Sequence, residues 1–312
     1  MRKTLLAFCF LSLNFLSAQE DPYFRQMENM LRTFNPAFNG IEDFDKRSLL
    51  LNFRDQFMNF SSGEPITFSA TYGGRFDKLH GGADVSYLYD QIGLQKANWI
   101  GLKYDAQFAL GEKTDLGIGA RANFGFVSFD FGSAVTTAPD PILPTGIQKG
   151  TIIPDIDFGL MVTRGTSFFF SLSARHLTEP SATVKGPTGI DFDINTQYRT
   201  YYAMLGGRIE RGKHLTISYA ADYRQTGSTG HGEGRIEARW RFLYAGFFCV
   251  LDRWKDSNTG MPRYVNPYGF TFGFSRKDGR LHIISSYEPA YINNSFGSSF
   301  ETGVKYVFGK KD

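Results

Sequence analysis

The residues that could do chemistry in this chain of 312 are five histidines, two cysteines, scattered serines and many charged side chains. A metal site needs histidine, cysteine or carboxylate ligands at short, defined spacings. His80, His176, His214, His231 and His282 stand apart in turns and strands without such spacing, so no metal is expected. No serine sits in a nucleophile elbow, and no glycine cluster forms a phosphate- or dinucleotide-binding pattern. Gly117 and Gly119 fall within an alternating stretch, where they relieve crowding on one face. No catalytic residue and no cofactor is therefore expected. The densest row of charge is Arg235, Glu237, Arg239 and Arg241, at every second position. On a strand that spacing puts all four on one face, whereas a helix would scatter them around its axis.

The same alternation organises most of the chain from Ser48 onward. Ile100, Leu102, Tyr104, Ala106 and Phe108 interleave with Gly101, Lys103, Asp105 and Gln107, and Ile236, Ala238, Trp240 and Phe242 interleave with the charged row. Fourteen strands are predicted, beginning near Ser48, Pro65, Gly82, Ala97, Thr114, Thr151, Thr166, Tyr198, Lys213, Gly232, Tyr244, Asn266, Arg280 and Ser298. Most run longer than the five or six residues usual in soluble sheets. They match instead the roughly 9–11 residues of a tilted strand that crosses a bilayer. Tight connections (Gly111-Glu112-Lys113, Arg164-Gly165-Thr166, Arg211-Gly212-Lys213, Lys277-Asp278-Gly279) alternate with long ones such as 129–150 and 177–197. Short periplasmic turns and longer outer loops are the pattern of an outer-membrane barrel. The weak point is the turn required at Arg241–Tyr244, which carries no Gly, Asn or Pro.

Composition supports this. Aromatics make up 16% of the chain and glycine contributes 34 residues, yet mean hydropathy is −0.27. Lipid-facing residues alternating with lumen-facing ones give that combination. Tyr87, Tyr89, Trp99, Tyr223, Trp254, Tyr268, Tyr287 and Tyr306 fall towards strand ends and are assigned to interfacial girdles. Inward positions carry both signs of charge, among them Arg54, Asp84, Lys103, Asp105, Arg121, Asp157, Arg175, Glu288, Glu301 and Lys305. Enclosed charges need partners, so cross-strand ion pairs filling the interior are one reading. A polar conduit, or a surface for a threaded segment, is the other. Asp55 shares the outward side with Phe53 and Phe57, which requires a bulge or a strand end above the bilayer.

The chain opens on Arg2-Lys3, an apolar run from Leu5 to Leu16, and Ser17-Ala18, which reads as a secretory signal peptide over residues 1–18. Residues 19–47 form a short, non-repetitive periplasmic lead-in or plug-like segment, and 48–312 the barrel. The predicted fold is thus all-β: a transmembrane antiparallel up-and-down barrel of about 14 strands in the bacterial outer membrane. Past the signal, Cys249 is the one cysteine, expected as a small buried hydrophobe in an apolar run. A net charge of +3 without a long basic cluster gives no reason to expect nucleic acid.

Phe34-Asn35-Pro36-Ala37-Phe38-Asn39-Gly40, followed by Arg54-Asp55-Gln56-Phe57, resembles the opening of the PorP/SprF family of type IX secretion and gliding proteins in Bacteroidetes. That family's opening runs Asn-Pro-Ala-aromatic and then Arg-Asp-Gln-Trp, with Phe57 standing here for the tryptophan. His80-Gly81-Gly82, Asp90-Gln91-Ile92-Gly93, Ser286-Tyr287-Glu288 and the closing Phe300 to Phe308 are also similar. The resemblance implies a non-enzymatic component of protein export. It would engage the C-terminal secretion domain of a large, adhesin-like secreted client and contact a periplasmic peptidoglycan-binding protein. Asn35, Pro36, Arg54, Asp55 and Gln56 are the family-motif candidates for partner contact; a rigid turn into the first strand is the plainer reading of Asn35-Pro36. Two other functions stay open: a channel for small solutes or hydrophobic compounds, and a hydrolase, which would need a Ser/His/acid cluster at the outer rim.

Overall fold

A computed structural model describes residues 22–38, 47–58, 63–76, 81–134, 146–185, 191–227, 229–252, 254–255, 262–263, 268–292 and 295–308. The expected signal peptide at 1–18 lies outside them. Among the described residues, the helix α1 (Met27–Phe34) precedes the strands. The strands are β1 (Ser48–Met58), β2 (Ile66–Phe76), β3 (Gly81–Ile92), β4 (Gln95–Gly111), β5 (Thr114–Asp130), β6 (Ile147–Arg164), β7 (Phe168–Arg175), β8 (Ser181–Lys185) and β9 (Asp191–Thr196). They continue with β10 (Thr200–Arg211), β11 (Leu215–Thr226), β12 (Thr229–Trp240), β13 (Leu243–Asp252), β14 (Trp254–Lys255), β15 (Pro262–Arg263), β16 (Tyr268–Ser275), β17 (Leu281–Ile292) and β18 (Ser295–Val307).

Fourteen of these close into one antiparallel barrel, and the hairpins β8–β9 and β14–β15 stand outside its wall. Closure comes from β1 against β18, in register from Ser48 opposite Val307 to Arg54 opposite Glu301. Every predicted strand start lies within a few residues of an observed barrel strand. An even strand number returns the chain to the rim where it entered, so Ser48 and Val307 share one end, the short-turn rim, where every connection has five residues or fewer. The opposite rim carries the long connections 131–146 and 176–199, but also three of only two residues, between β3 and β4, β11 and β12, and β17 and β18, where longer loops were expected for the last two. By the usual orientation of such barrels the short-turn rim is periplasmic.

The faces are inverted relative to a soluble protein. Leu102, Ile236 and Phe272 are about half exposed on the outside, while Lys103, Asp105, Arg235 and Glu301 are buried inside. Leu102→Arg at the middle of β4 is therefore expected to destabilise the barrel by about 2–4 kcal/mol in a bilayer. Urea titration in liposomes measures this; a change under about 0.5 kcal/mol, as at an ordinary aqueous surface, would contradict a lipid-facing wall.

Several local features refine the sequence reading. The unmarked turn is the two-residue connection Arg241-Phe242, with Trp240 opposite Leu243. Arg241 itself takes the left-handed φ of +57° that the turn requires, and its N–H donates to His214 O at 2.7 Å. Asp55 stays opposite Phe300, and a bulge between Asp55 and Met58 follows it, with Phe57 at φ +60°. Cys249 is exposed on the outer face, whereas its neighbours Phe248 and Val250 are the buried ones. The expectation of a buried thiol missed by one position of the alternation. Trp99 also leaves its expected girdle. It points inward and packs with Ala97, Val127 and Ile153 against Ala182 of the β8–β9 hairpin, forming an apolar cap under the outer rim.

Candidate functional site

The expected lead-in or plug-like segment contains a two-turn helix, and residues 22–38 lie inside the barrel. Met30, Leu31 and Phe34 are spaced to share one face of α1, and they pack on inward-facing Met161, Phe169, Tyr202 and Met204. Phe34 stacks on Tyr202 with ring centroids 4.5 Å apart. The spacing of these apolar residues is the sequence signal that reveals the helix.

A charge network holds the front of this segment. Arg25 offers its Nε and Nη2 as a fork to Glu288 (2.8 and 2.7 Å) and its Nη1 to Glu233 (2.5 Å). Arg54 bridges the same Glu288 (3.0 Å) and Glu301 (3.2 Å) from the wall. Glu301 in turn accepts the backbone N–H groups of Arg25 (2.6 Å) and Gln26 (3.2 Å). Those donors stand at the start of α1, where a carboxylate suits both the unpaired N–H groups and the positive end of the helix dipole. Arg235 donates to the Arg25 carbonyl (2.7 Å) and pairs with Asp222 (3.2 Å) and Glu233 (2.5 Å). Tyr23 donates to Asp222 at 2.6 Å.

Complementary contacts hold the back. Arg121 donates to the carbonyls of Arg32 and Thr33 at the C-terminal end of α1 and lies 3.6 Å from Asp157. Lys103 donates to Phe38 O at 2.6 Å and is paired with Asp84 at 2.8 Å. Asn35 is buried; its Nδ2 donates to Ser171 Oγ (2.5 Å) and Leu160 O (3.0 Å), and its Oδ1 accepts from Ala37 N (2.7 Å). On α1 itself, burial works to raise the Glu28 carboxyl. Lys305 at 2.8 Å and Arg32 at 3.3 Å outweigh that effect and hold it down at about 2.

Glycines in the wall make room for this segment. A Cβ on Gly159 would stand 2.0 Å from Asn35 Oδ1, one on Gly119 2.3 Å from Pro36 O, and one on Gly303 2.2 Å from Gln26 Oε1. Gly119 and Gly159 face each other across β5 and β6, directly under Asn35-Pro36. Gly159→Val is expected to cost about 1–3 kcal/mol through overpacking. A guanidinium denaturation midpoint unchanged from the parent would show that Asn35 does not rest on this glycine.

The candidates from the sequence thus fall in three places. Arg54 and Arg235 enter the network at the front of α1, and Asn35 and Pro36 sit at its back. Asp55 and Gln56 lie beyond both, at the bulged end of β1, where Gln56 N donates to Pro65 O. The charged row divides: Glu237 lines a small cleft beside α1, while Arg239 and Arg241 border a wide cavity at the short-turn rim. Sequence reasoning passed over Tyr23, Arg25 and Glu233. The parity of Glu233 with Arg235 could have found the last of these.

The structure also gathers Asp155, Asp157 and His176, whose ligand atoms lie within 4.8 Å of one another. These atoms already have partners. His176 Nδ1 meets Asp155 at 2.6 Å, and Asp157 receives Asn123 at 2.9 Å with Arg175 at 3.4 Å. Two arginine cations beside Asp157 oppose a bound metal, so the group reads as an ion-pair cluster.

Comparison with known proteins agrees with the fold and names the family. Solved structures of similar shape include a TodX deletion mutant described as a monoaromatic hydrocarbon channel (TM-score 0.55, 11% identity, covering 94% of this chain and 97% of that one). The CymD monoaromatic hydrocarbon channel (TM-score 0.55, 10% identity, 90% and 93%) and the Pseudomonas putida toluene transporter TodX (TM-score 0.52, 9% identity, 89% and 93%) are others. At such identities the likeness is one of fold, and it places the chain among outer-membrane barrels. None of the curated proteins matches it in sequence. The family model for type IX secretion system membrane protein PorP/SprF matches residues 16–306, nearly the whole chain. This outer-membrane barrel therefore belongs to the PorP/SprF family of type IX secretion system membrane proteins.

Proposed function

We propose that this barrel engages or anchors a large secreted, adhesin-like protein at the outer membrane as part of type IX secretion and gliding. Contacts with the client's C-terminal secretion domain and with a peptidoglycan-binding protein would be made at the periplasmic side. The observation that carries this reading is the family match over residues 16–306. The interior is consistent with it: a lumen occupied by residues 22–38 suits a docking component better than an open pore. Asn35-Pro36 and Arg54 then serve the client indirectly, by fixing the segment that shapes the periplasmic mouth.

The test is deletion of the gene in its native host, followed by comparison of surface, medium and periplasmic proteins. Loss of one or a few very large proteins from the surface, restored by the wild-type gene, is the expected result. An unchanged set of surface proteins would contradict the proposal.

A second reading, a channel for hydrophobic compounds, draws on the fold shared with the hydrocarbon channels. It requires a path around residues 22–38. Steady ion conductance in planar bilayers, or faster uptake of an aromatic hydrocarbon by cells carrying the barrel, would favour it over export.

A further inference from the structure

At the short-turn rim the lumen opens into a cavity of about 730 Å³ bordered by the turns that join β10 to β11, β12 to β13 and β16 to β17. Its lining is basic. Lys213, Arg241, Lys277 and Arg280 come from the three turns, and Arg208 and Arg239 from the strand ends just inside. Glu210 and Asp278 are the acidic residues of this lining, and each already has a cation: Arg208 at 3.1 Å and Arg276 at 3.2 Å. Arg208 and Arg239 have the inward parity of their strands and face the barrel axis, while Arg241 at its turn lies over the ring of outward-facing Trp240 at 5.1 Å. His282, buried on β17, reaches both this cavity and the cleft beside α1.

We propose that this basic mouth is the docking site for an acidic peptide segment presented from the periplasm. The inference rests on the export reading above and names the chemistry of the client contact. Geometry adds a spacing. Adjacent strands lie about 4.8 Å apart, so turns of successive hairpins are roughly 10 Å apart. An extended chain covers that distance in about three residues. The segment that fits best therefore carries an aspartate or glutamate at about every third position. Binding is charge-driven in a wide, wet site, so it weakens steeply with salt.

The experiment uses the full-length barrel in detergent and a fluorescent, photo-cross-linkable twelve-residue peptide of repeating Asp-Gly-Ser. Anisotropy is expected to show saturable binding that falls at least tenfold between low and physiological salt. In the variant Lys213→Glu/Arg241→Glu/Lys277→Glu it falls at least tenfold as well. Cross-links should map to residues 208–216, 239–242 and 275–282. These substitutions are at exposed turn positions, and an unchanged heat-modified gel shift verifies that the variant barrel is folded. Equal binding of a Lys-Gly-Ser peptide, equal binding by the variant, or cross-links confined elsewhere would each overturn the proposal. Purification of both forms from native membranes separates the two levels of the argument. A client recovered equally with wild type and variant overturns the basic mouth alone. A client recovered with neither overturns the export reading itself.

Discussion

Arg25→Met is expected to release the front of the luminal segment. Methionine keeps the length of the side chain and removes its charge, so Glu288 loses its forked partner and Glu233 one of its two arginines. Breaking a buried ion pair from one side costs about 3–5 kcal/mol, because the remaining carboxylates stay desolvated. That raises the undocked population by about two to three and a half orders of magnitude. Limited proteolysis reads the change directly: trypsin should cut after Arg32 much faster in the variant than in the parent, with the barrel still resistant. Adding Glu288→Gln should recover part of the loss, since it removes one of the stranded charges and leaves Arg54 paired with Glu301. Equal cleavage rates in parent and Arg25→Met would show that apolar packing of Met30, Leu31 and Phe34 holds the segment without help from the network.

Arg121→Met should release the other end. Arg121 supplies donors to two carbonyls at the C-terminal turn of α1, where the backbone has no partners of its own. Hydrogen bonds from a charged donor contribute about 1.5–3 kcal/mol each, which puts the loss of two at about 3–6 kcal/mol. Asp157 is spared, since Asn123 and Arg175 remain beside it. The two arginines share no described partner, so their stability effects should add to within about 0.5 kcal/mol in the double variant. Guanidinium midpoints of the parent, both single variants and the double variant measure this. A double variant no worse than either single one would mean that the segment docks as one unit whose release needs only one end to fail.

The wall was legible in the sequence because its signal repeats. Ile100 to Phe108 and Ile236 to Phe242 each show the alternation that lipid on one side and charge on the other impose, and fourteen repetitions leave little freedom in the count. Even the unmarked turn at Arg241 was recoverable by necessity, since two inward rows of opposite direction had to be joined. What failed were positions where parity alone does not decide. Cys249 was placed by the hydrophobicity of its neighbours, but β13 is apolar on both faces there, with Phe248 and Val250 inside and the thiol on the lipid side. Trp99 was assigned to a girdle by residue type, yet it faces inward and is covered by the β8–β9 hairpin, a contact no local pattern encodes.

The interior was legible in part. Arg54, Arg121, Glu288, Glu301 and Arg235 could be assigned to the lumen, but not their partners. Arg25 and Glu301 are 276 positions apart and meet only because the barrel closes. Gly119 looked like a residue that relieves crowding within its strand, and Gly159 stands opposite it on β6. What they accommodate is Asn35-Pro36, which comes from outside the sheet. Phe34 to Phe38 and Arg54 of the motif that suggested the family are thus buried in the lumen, while Asp55 and Gln56 lie at the bulged end of β1. The buried part's role in partner binding, if direct, would require the segment to move.

On the proposed function this barrel engages a secreted client. Gentle detergent purification from native outer membranes, with mass spectrometry of whatever remains bound, tests it most directly. The account predicts recovery of a very large exported protein together with a peptidoglycan-binding protein. A barrel that emerges alone even after cross-linking, and that conducts ions in a planar bilayer, would contradict it.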